Sequence, residues 1–528
     1  MSSEQESKTY HPFEGESVSW SLVPWRKLEQ HVFHLQKRIY QAAQDDNEKK
    51  LHSLQKLLLR SHAARLLAVR RVTQDNTGKK TAGVDGVKSI PPEARWQMAE
   101  QIHPTYWEQS KMPPVRRVWI PKPGKPEKRP LGIPTLLERA KQALAKLALE
   151  PEWEARFEAD SYGFRPGRSA WDAIEAIHAD LKQKAKYVLD TDIKGCFDHI
   201  DQNYLLNKLN TFAGMQKQIR KWLKAGILDA NVFTPSEAGT PQGGVISPLL
   251  ANIALHGMQE EVEGKVKGAS LIRYADDFVI LHATKEGVEQ AKEVVERWLA
   301  AAGLHLSPQK TRIAHTLLEE GFDFLGFHVR QYPVGKYRTG KGTHGKPLGF
   351  KTLIKPSPKN VAEHVRTTKL ILRRLMSAPQ EGVIKELNPI IRGWSQYYRT
   401  GVSKETFSKV DHLLNIQLRQ WAYRRHPGKG RRYAVRRYWK SQGQRNWVFG
   451  NAITTLLQHT DTPIQRHIKV KGTASPYNGK WLYWTRRATN TAMETEKVRL
   501  IRSQHWKCPL CKLYLSLNYF CRGSKDLN

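Results

Sequence analysis

Cysteine is scarce in this chain: 528 residues contain four, at positions 196, 508, 511 and 521. They are too few and too unevenly placed for a disulfide framework, which excludes a small secreted scaffold and points to a reducing compartment. No apolar run approaches the length of a membrane span, so no membrane partner is expected. The opening Met1-Ser-Ser-Glu-Gln-Glu-Ser7 lacks the charged-then-apolar order of a signal peptide. Carboxylates are also in short supply, with 50 Asp and Glu against 86 Lys and Arg and a formal net charge of +36. Such a chain repels itself unless it meets a polyanion. The 16 Trp and 18 Tyr offer faces on which bases stack. Nucleic acid is the expected partner, gripped through phosphates and therefore salt-sensitively.

Against that deficit, the places where acids gather stand out. In Leu271-Ile-Arg-Tyr-Ala-Asp-Asp-Phe-Val-Ile-Leu281, two apolar runs flank a polar turn. The pattern predicts a β-hairpin with Asp276 and Asp277 at its tip. Adjacent carboxylates beside apolar strands repel each other unless a cation neutralises them, and Mg²⁺ prefers carboxylate oxygen. Upstream, Tyr187 to Ile193 has strand character, and alternation puts Asp190 and Asp192 on one face. Gly195 ends that run, and Asp198 is expected to cap a following helix. One strand-end Asp and two on a hairpin can converge on a pair of metal ions. Such a pair activates a 3′-hydroxyl and stabilises a leaving pyrophosphate.

These stretches carry a resemblance. Tyr274-Ala-Asp-Asp277 is similar to the catalytic turn, and Asp192-Ile-Lys-Gly-Cys-Phe-Asp198 to the first metal-binding motif, of the reverse transcriptases encoded by group II introns, also called maturases. Gly239-Thr-Pro-Gln-Gly-Gly-Val-Ile-Ser-Pro248 resembles the nucleotide-pocket segment of that family. Tyr162-Gly-Phe-Arg-Pro-Gly-Arg168 and Phe322-Asp-Phe-Leu-Gly-Phe327 follow in the family's order, and the resemblance covers nearly the whole chain. It implies a right-hand polymerase: mixed α/β fingers and palm with an antiparallel palm sheet, then an all-α thumb. Asp192, Asp276 and Asp277 are the implied catalytic residues, binding two Mg²⁺ ions, with Ile193 added to the metal set. Lys122 and Arg129 fall where the family contacts the incoming dNTP, whose triphosphate needs fixed cations. Phe197 is implied under the nucleotide sugar, where it excludes a 2′-hydroxyl. Gln242 and Gly243 complete the nucleotide set: the glycine permits close approach of the backbone and the amide can hydrogen-bond sugar or phosphate.

The rest of the chain is read in order. Residues 1–24 are polar and loose. Helices are expected from Trp25 to about Ala43 and from about Asn47 to Val72, the second with a basic face suited to RNA. Thr77 to Gly86 is a Gly-rich loop with two lysines that could hold phosphates. Val115 to Pro134 reads as two strands joined by a basic turn. Glu138 to Glu150, Ala170 to about Lys186, Asp201 to Ala225 and Glu286 to Ala301 read as helical, and Ser247 as a helix cap. Arg165 is implied to face the template and Lys310 to contact the primer. The fingers and palm, with their N-terminal extension, close at about residue 330. Residues 331–350 form a basic loop, and residues 351–450 the thumb. There, Leu387 to Arg399 resembles the maturase signature. Arg392, Trp394, Tyr397 and Arg399 suit mixed stacking and phosphate binding, with helical core as the competing reading for the aromatics.

Residues 451–504 correspond to a small DNA-binding segment of the family, with Arg486-Arg487 and Arg499 to Arg502 as candidates. Residues 505–528 depart from the pattern. Trp506-Lys-Cys-Pro-Leu-Cys511 resembles the first zinc knuckle of an HNH endonuclease, and no second knuckle follows. A truncated remnant is expected, without nuclease activity and without zinc at His505, Cys508, Cys511 and Cys521. The implied function is RNA-directed DNA synthesis by an intron-encoded protein that also binds its intron RNA to assist splicing. Its partners would be that RNA, an RNA template with DNA primer, target DNA and dNTPs, with a homodimer left open. The setting would be a bacterial cytoplasm or an organelle. A splicing-only maturase and a reverse transcriptase of another lineage are the alternatives.

Overall fold

The computed structural model describes residues 19–506, apart from 77, 79, 80, 122–126, 231, 241, 336, 343, 493 and 494. Its core begins with helices that the sequence periodicity announces. Trp25–Gln44 presents Leu28, Val32, Leu35 and Ile39 inward, and packs on the long helix Leu136–Arg156. The expected single helix to Val72 is two, Glu48–Arg60 and His62–Arg70. Ser61 takes extended backbone between them, with φ −61° and ψ 123°. The break turns Ala64, Leu66 and Val69 onto the same core. It also draws in part of the basic face: Arg65 donates to Ala99 O and Glu100, and Arg70 pairs with Glu29.

The basic hairpin forms as expected from Val115–Pro121 and Lys128–Ile133, antiparallel with Ile120 opposite Arg129. Ile227–Asp229 adds to it in parallel, and Val232–Thr234 completes that sheet. A second four-stranded sheet holds the centre of the molecule. Its order is Ser270–Tyr274, Asp277–His282, Tyr187–Asp192, Arg312–His315, all antiparallel. The apolar run Phe278 to Leu281 is fully buried because helices cover both faces. Phe278 and Ile280 join the core beneath Ser247–Ala254 and Lys285–Ala301, while Val279 and Leu281 meet Ala173 and Ile177 of Ala170–Leu181.

Several local expectations shift. Asp198 lies within the short helix Cys196–His199, and Asp201 caps the next helix by accepting from Tyr204 N. The stretch from Asp201 to Ala225 is two helices, Gln202–Leu209 and Ala213–Leu223. Ser247 is the first helical residue, after an Ile246 cap. The basic segment after residue 330 joins two paired strands, Phe327–Pro333 and Phe350–Pro356, with Pro333 opposite Phe350.

Three helices follow: Pro358–Arg374, Gln380–Tyr398 and Lys404–Arg424, around Leu372, Leu387, Ile391, Leu418 and Trp421. Beyond them the chain returns to the central sheet. Asp172, wholly buried at the start of Ala170–Leu181, accepts from Ser169 N, Val470 N, His467 and Arg487. Tyr477 stacks on Phe33 with ring centres 6.2 Å apart and donates to Glu150. Among the described residues, no helix is long and apolar enough to cross a membrane.

Candidate active site

The central strand pair sets the site. Register places Asp192 directly opposite Asp277. Tyr274 pairs with Asp277 across the hairpin, so Ala275 and Asp276 form its two-residue turn. Asp277 therefore opens a strand, and Asp276 alone occupies the turn. All three carboxylates project from one end of the sheet. Burial and the Asp192 charge push the Asp276 carboxyl up. Burial, then the charges of Asp276 and Asp192, push Asp277 up to about 7. The Asp277 residue still meets solvent, so the repulsion is the part that a cation would reverse.

One cation is already there. Ser307 N donates to Asp192 O, and Lys194 N to His305 O, which lays the 305–310 segment along the strand end. Lys310 Nζ then donates to Asp192 Oδ2. Partial burial works against the ammonium, but that bond and the three carboxylates outweigh it and hold the Lys310 pKa above its ordinary value. Asp190, expected on the same face as Asp192, lies opposite Arg312. Burial and Asp323 push it up to about 7. It belongs to the flank of the site.

The donor set suits a hard divalent cation. Among the described residues, no three His, Cys, Asp or Glu side chains, these three acids included, are placed to hold a metal ion by themselves. That is compatible with Mg²⁺, which takes one or two carboxylates and leaves its other positions to water and substrate phosphate. The Ile193 side chain is a hydrocarbon with no donor atom and is buried, so only its backbone carbonyl could serve.

The loop expected at the nucleotide pocket ties the first sheet to the short helix after Asp192. Gly132 N, on the strand of Arg129, donates to Gln242 O at 2.6 Å. A Cβ on Gly243, whose φ is +122°, would stand 2.8 Å from Gly132 O. Thr240 N donates to Phe197 O, tying the same loop to the helix after Asp192. Gln242 Oε1 is buried without a hydrogen-bond partner, an acceptor available to a bound donor. Phe197 is half-buried, edge-on to Phe164 at 6.4 Å. Arg129 is exposed, and its charge reaches Asp276. Lys122 lies outside the described residues, as do Lys79 and Lys80 of the Gly-rich loop and Cys508, Cys511 and Cys521.

Other expected nucleic-acid contacts are turned inward. The Arg165 guanidinium is buried, bonded to Glu154 Oε1 at 2.8 Å and to the carbonyls of Glu158 and Ser161. A template phosphate would find every face of it taken. Trp394 stacks on His364 at 4.5 Å and packs on Tyr398. Tyr397 donates to Leu325 O and packs on Phe327 and Trp171. The core reading holds for both aromatics, because they close the seam between the thumb helices and the strands before them. Arg392 is exposed and Arg399 is half-buried, its carbonyl accepting from Gln465 N. Arg487 is committed to Asp172 and is withdrawn as a DNA contact. Sequence reasoning missed Arg273 and Asn252 beneath the turn; a basic residue inside an apolar strand was the one available signal.

Three family models match successive stretches of this chain. A family model for the N-terminal domain of reverse transcriptase matches residues 20–102, and one for reverse transcriptase (RNA-dependent DNA polymerase) matches residues 120–329. A third, for the group II intron maturase-specific domain, matches residues 360–439. Protein YkfC of Escherichia coli K12 is 33% identical over 301 residues, covering 49% of this chain and 78% of that protein. The group II intron-encoded protein LtrA of Lactococcus lactis is 27% identical over 403 residues, covering 61% and 66% respectively. Maturase-like protein 1 of Euglena gracilis is 26% identical over 381 residues, covering 71% and 76%.

Proposed function

The chain belongs to the family of group II intron-encoded reverse transcriptases and maturases, and on that footing we propose that it copies RNA into DNA from a primer and binds the intron RNA that encodes it. The observation that carries this reading is the register of the central sheet, with Asp192 opposite Asp277 and Asp276 on the turn beside them. We assign Asp192, Asp276 and Asp277 to two Mg²⁺ ions, with the Ile193 carbonyl as a further donor. When bound, these ions supply the 3′-hydroxyl's activation and the neutralisation of the leaving pyrophosphate.

The chain's own groups do the positioning. Arg129, with Lys122, holds the triphosphate; Gln242 and Gly243 shape the pocket; Phe197 lies under the sugar. Lys310 balances Asp192 and is within reach of a primer phosphate once that carboxylate is otherwise engaged. Arg392 and Arg399 are the thumb residues proposed to meet RNA phosphate. Splicing assistance and intron mobility, with target DNA and dNTPs as partners, are part of the same proposal. Primer extension on an RNA template with Mg²⁺ at low salt tests it. Folded protein that binds RNA but extends no primer would make the chain an RNA-binding splicing cofactor alone.

Two further results are expected. Phe197→Ala raises ribonucleotide incorporation relative to deoxyribonucleotide by about 10- to 100-fold, the discrimination that one steric contact supplies. Equal ratios in both proteins would remove the gate role. The second concerns pH. Asp277 titrates at about 7, and only its ionised form ligates a cation. Below that value a proton must leave as the ion binds. The half-saturating Mg²⁺ concentration for extension should rise about 10-fold per pH unit below about pH 7 and level off above it. The Asp190 charge is one of those that raise Asp277, so Asp190→Asn should keep this dependence and move its break to somewhat lower pH. A flat Mg²⁺ requirement across that range would refute the assignment.

A further inference from the structure

The turn that carries Asp276 adopts a conformation its own sequence disfavours. Ala275 has φ +59°, in the left-handed region, and Asp276 is not among the described residues with positive φ. That sign pattern belongs to a II′ turn, whose first central position prefers glycine. Local sequence therefore does not select this turn, and something outside it must.

Arg273 supplies the constraint. Its guanidinium is buried at 2% exposure. Nη1 donates to Ala275 O at 3.2 Å and to Asn252 Oδ1 at 3.1 Å. Asn252 Nδ2 in turn donates to Gly163 O at 2.7 Å. Gly163 lies so close beneath the turn that a Cβ on it would stand 2.3 Å from Ala275 N. The strand itself is pinned alongside: Tyr162 N donates to Arg273 O, and Arg273 N to Asp160 O. On the far side, Glu158 balances the charge at 3.9 Å, itself anchored by Gly257 N and His256. The central peptide of a two-residue turn has two orientations. Flipping this one would carry Ala275 O away from Arg273, leaving a buried donor unsatisfied, and would re-aim Asp276.

We propose that Arg273, braced by Asn252 and Gly163, is a positioning residue that holds the Ala275–Asp276 peptide in the one orientation that aims Asp276 at the metal site. The inference rests on the polymerase reading for its kinetic consequence and on metal binding for its geometric one. Arg273→Lys keeps a charge against Glu158 but cannot span both acceptors. It should lower kcat for primer extension by about 30- to 100-fold, the scale of a small misplacement of a reacting group. The KM for dNTP and the affinity for primer-template should stay within about threefold, and the Asp276-dependent component of Mn²⁺ binding should weaken about 10-fold. Adding Ala275→Gly, which takes positive φ without steric cost, should restore most of both losses; a merely structural role for Arg273 would not respond to it.

Wild-type kcat and Mn²⁺ affinity in Arg273→Lys would overturn the inference, as would a folded double variant that shows no recovery. Should Arg273→Lys not fold, Asn252→Ser loosens the guanidinium without removing it and carries the same expectations. If the wild type binds Mn²⁺ through Asp276 yet extends no primer, the polymerase reading falls, and the Mn²⁺ series alone decides the role of Arg273.

Discussion

Asp276→Asn abolishes primer extension, with an expected fall of about 10³-fold or more, while RNA affinity stays within about twofold. The substitution keeps the side chain's size and removes its charge. Burial first, and then the charges of Asp276 and Asp192, raise Asp277, and a cation relieves the charge part. Neutralising Asp276 relieves the same repulsion from the other direction, so Asp277 should ionise more readily and thermal stability should hold or rise. Loss of activity with retained stability separates a chemical defect from misfolding. Residual extension within about 10-fold of wild type would mean that Asp192 and Asp277 suffice and that the turn is not the metal site.

The second large effect is structural, at the point where His467 and Arg487 close on Asp172. Asp172→Ala should destabilise the protein by about 3–5 kcal/mol, because it strands Arg487 and His467 in a buried site. Burial raises the carboxyl, but the His467 hydrogen bond and the Arg487 charge outweigh it and hold the Asp172 pKa well below the ordinary range. The sign follows: this stability is fully present above about pH 4, the unfolded value, and is lost as pH falls toward the folded one. Limited proteolysis gives the local readout. In Asp172→Ala the 462–487 segment should become cleavable under conditions where the wild type is resistant. Asp172→Ala combined with Arg487→Ala should recover part of the loss, since it removes the stranded cation. A wild-type cleavage pattern and an unchanged midpoint in Asp172→Ala would mean that the segment is held by Tyr477 and Trp481 against Phe33 instead.

Much of the site could be read from residue order. Asp276 and Asp277 between two apolar runs, and Asp192 at the end of another, needed only strand periodicity and the repulsion of like charges. The helices Trp25–Gln44 and Lys285–Ala301 followed from apolar spacing within two residues of their ends. The basic hairpin followed from two strand-like runs around Pro and Gly. What failed was reading charge as exposure. The family resemblance implies nucleic-acid contacts at Arg165 and Arg487, and the basic helix face implies one at Arg65, yet Glu154, Asp172 and Glu100 occupy them. For Trp394 and Tyr397 the two readings stayed open in the sequence, since a helix with aromatics on two faces does not reveal which face another layer will cover, and packing supports the core one.

Residue order was enough to place strands, turns and most helices, and to single out the acids proposed for a metal. Those properties depend on neighbours two to four residues apart, which every stretch of chain carries with it. The register that sets Asp192 against Asp277, the use of Lys310 as the counter-charge, and the reach of Arg273 beneath the turn became visible only with the folded chain. So did the closing of the segment after residue 460 on Asp172, some 300 positions earlier. Partners so distant in sequence are chosen by packing and charge balance, and a buried cation is told from an exposed one only when the groups around it are in place.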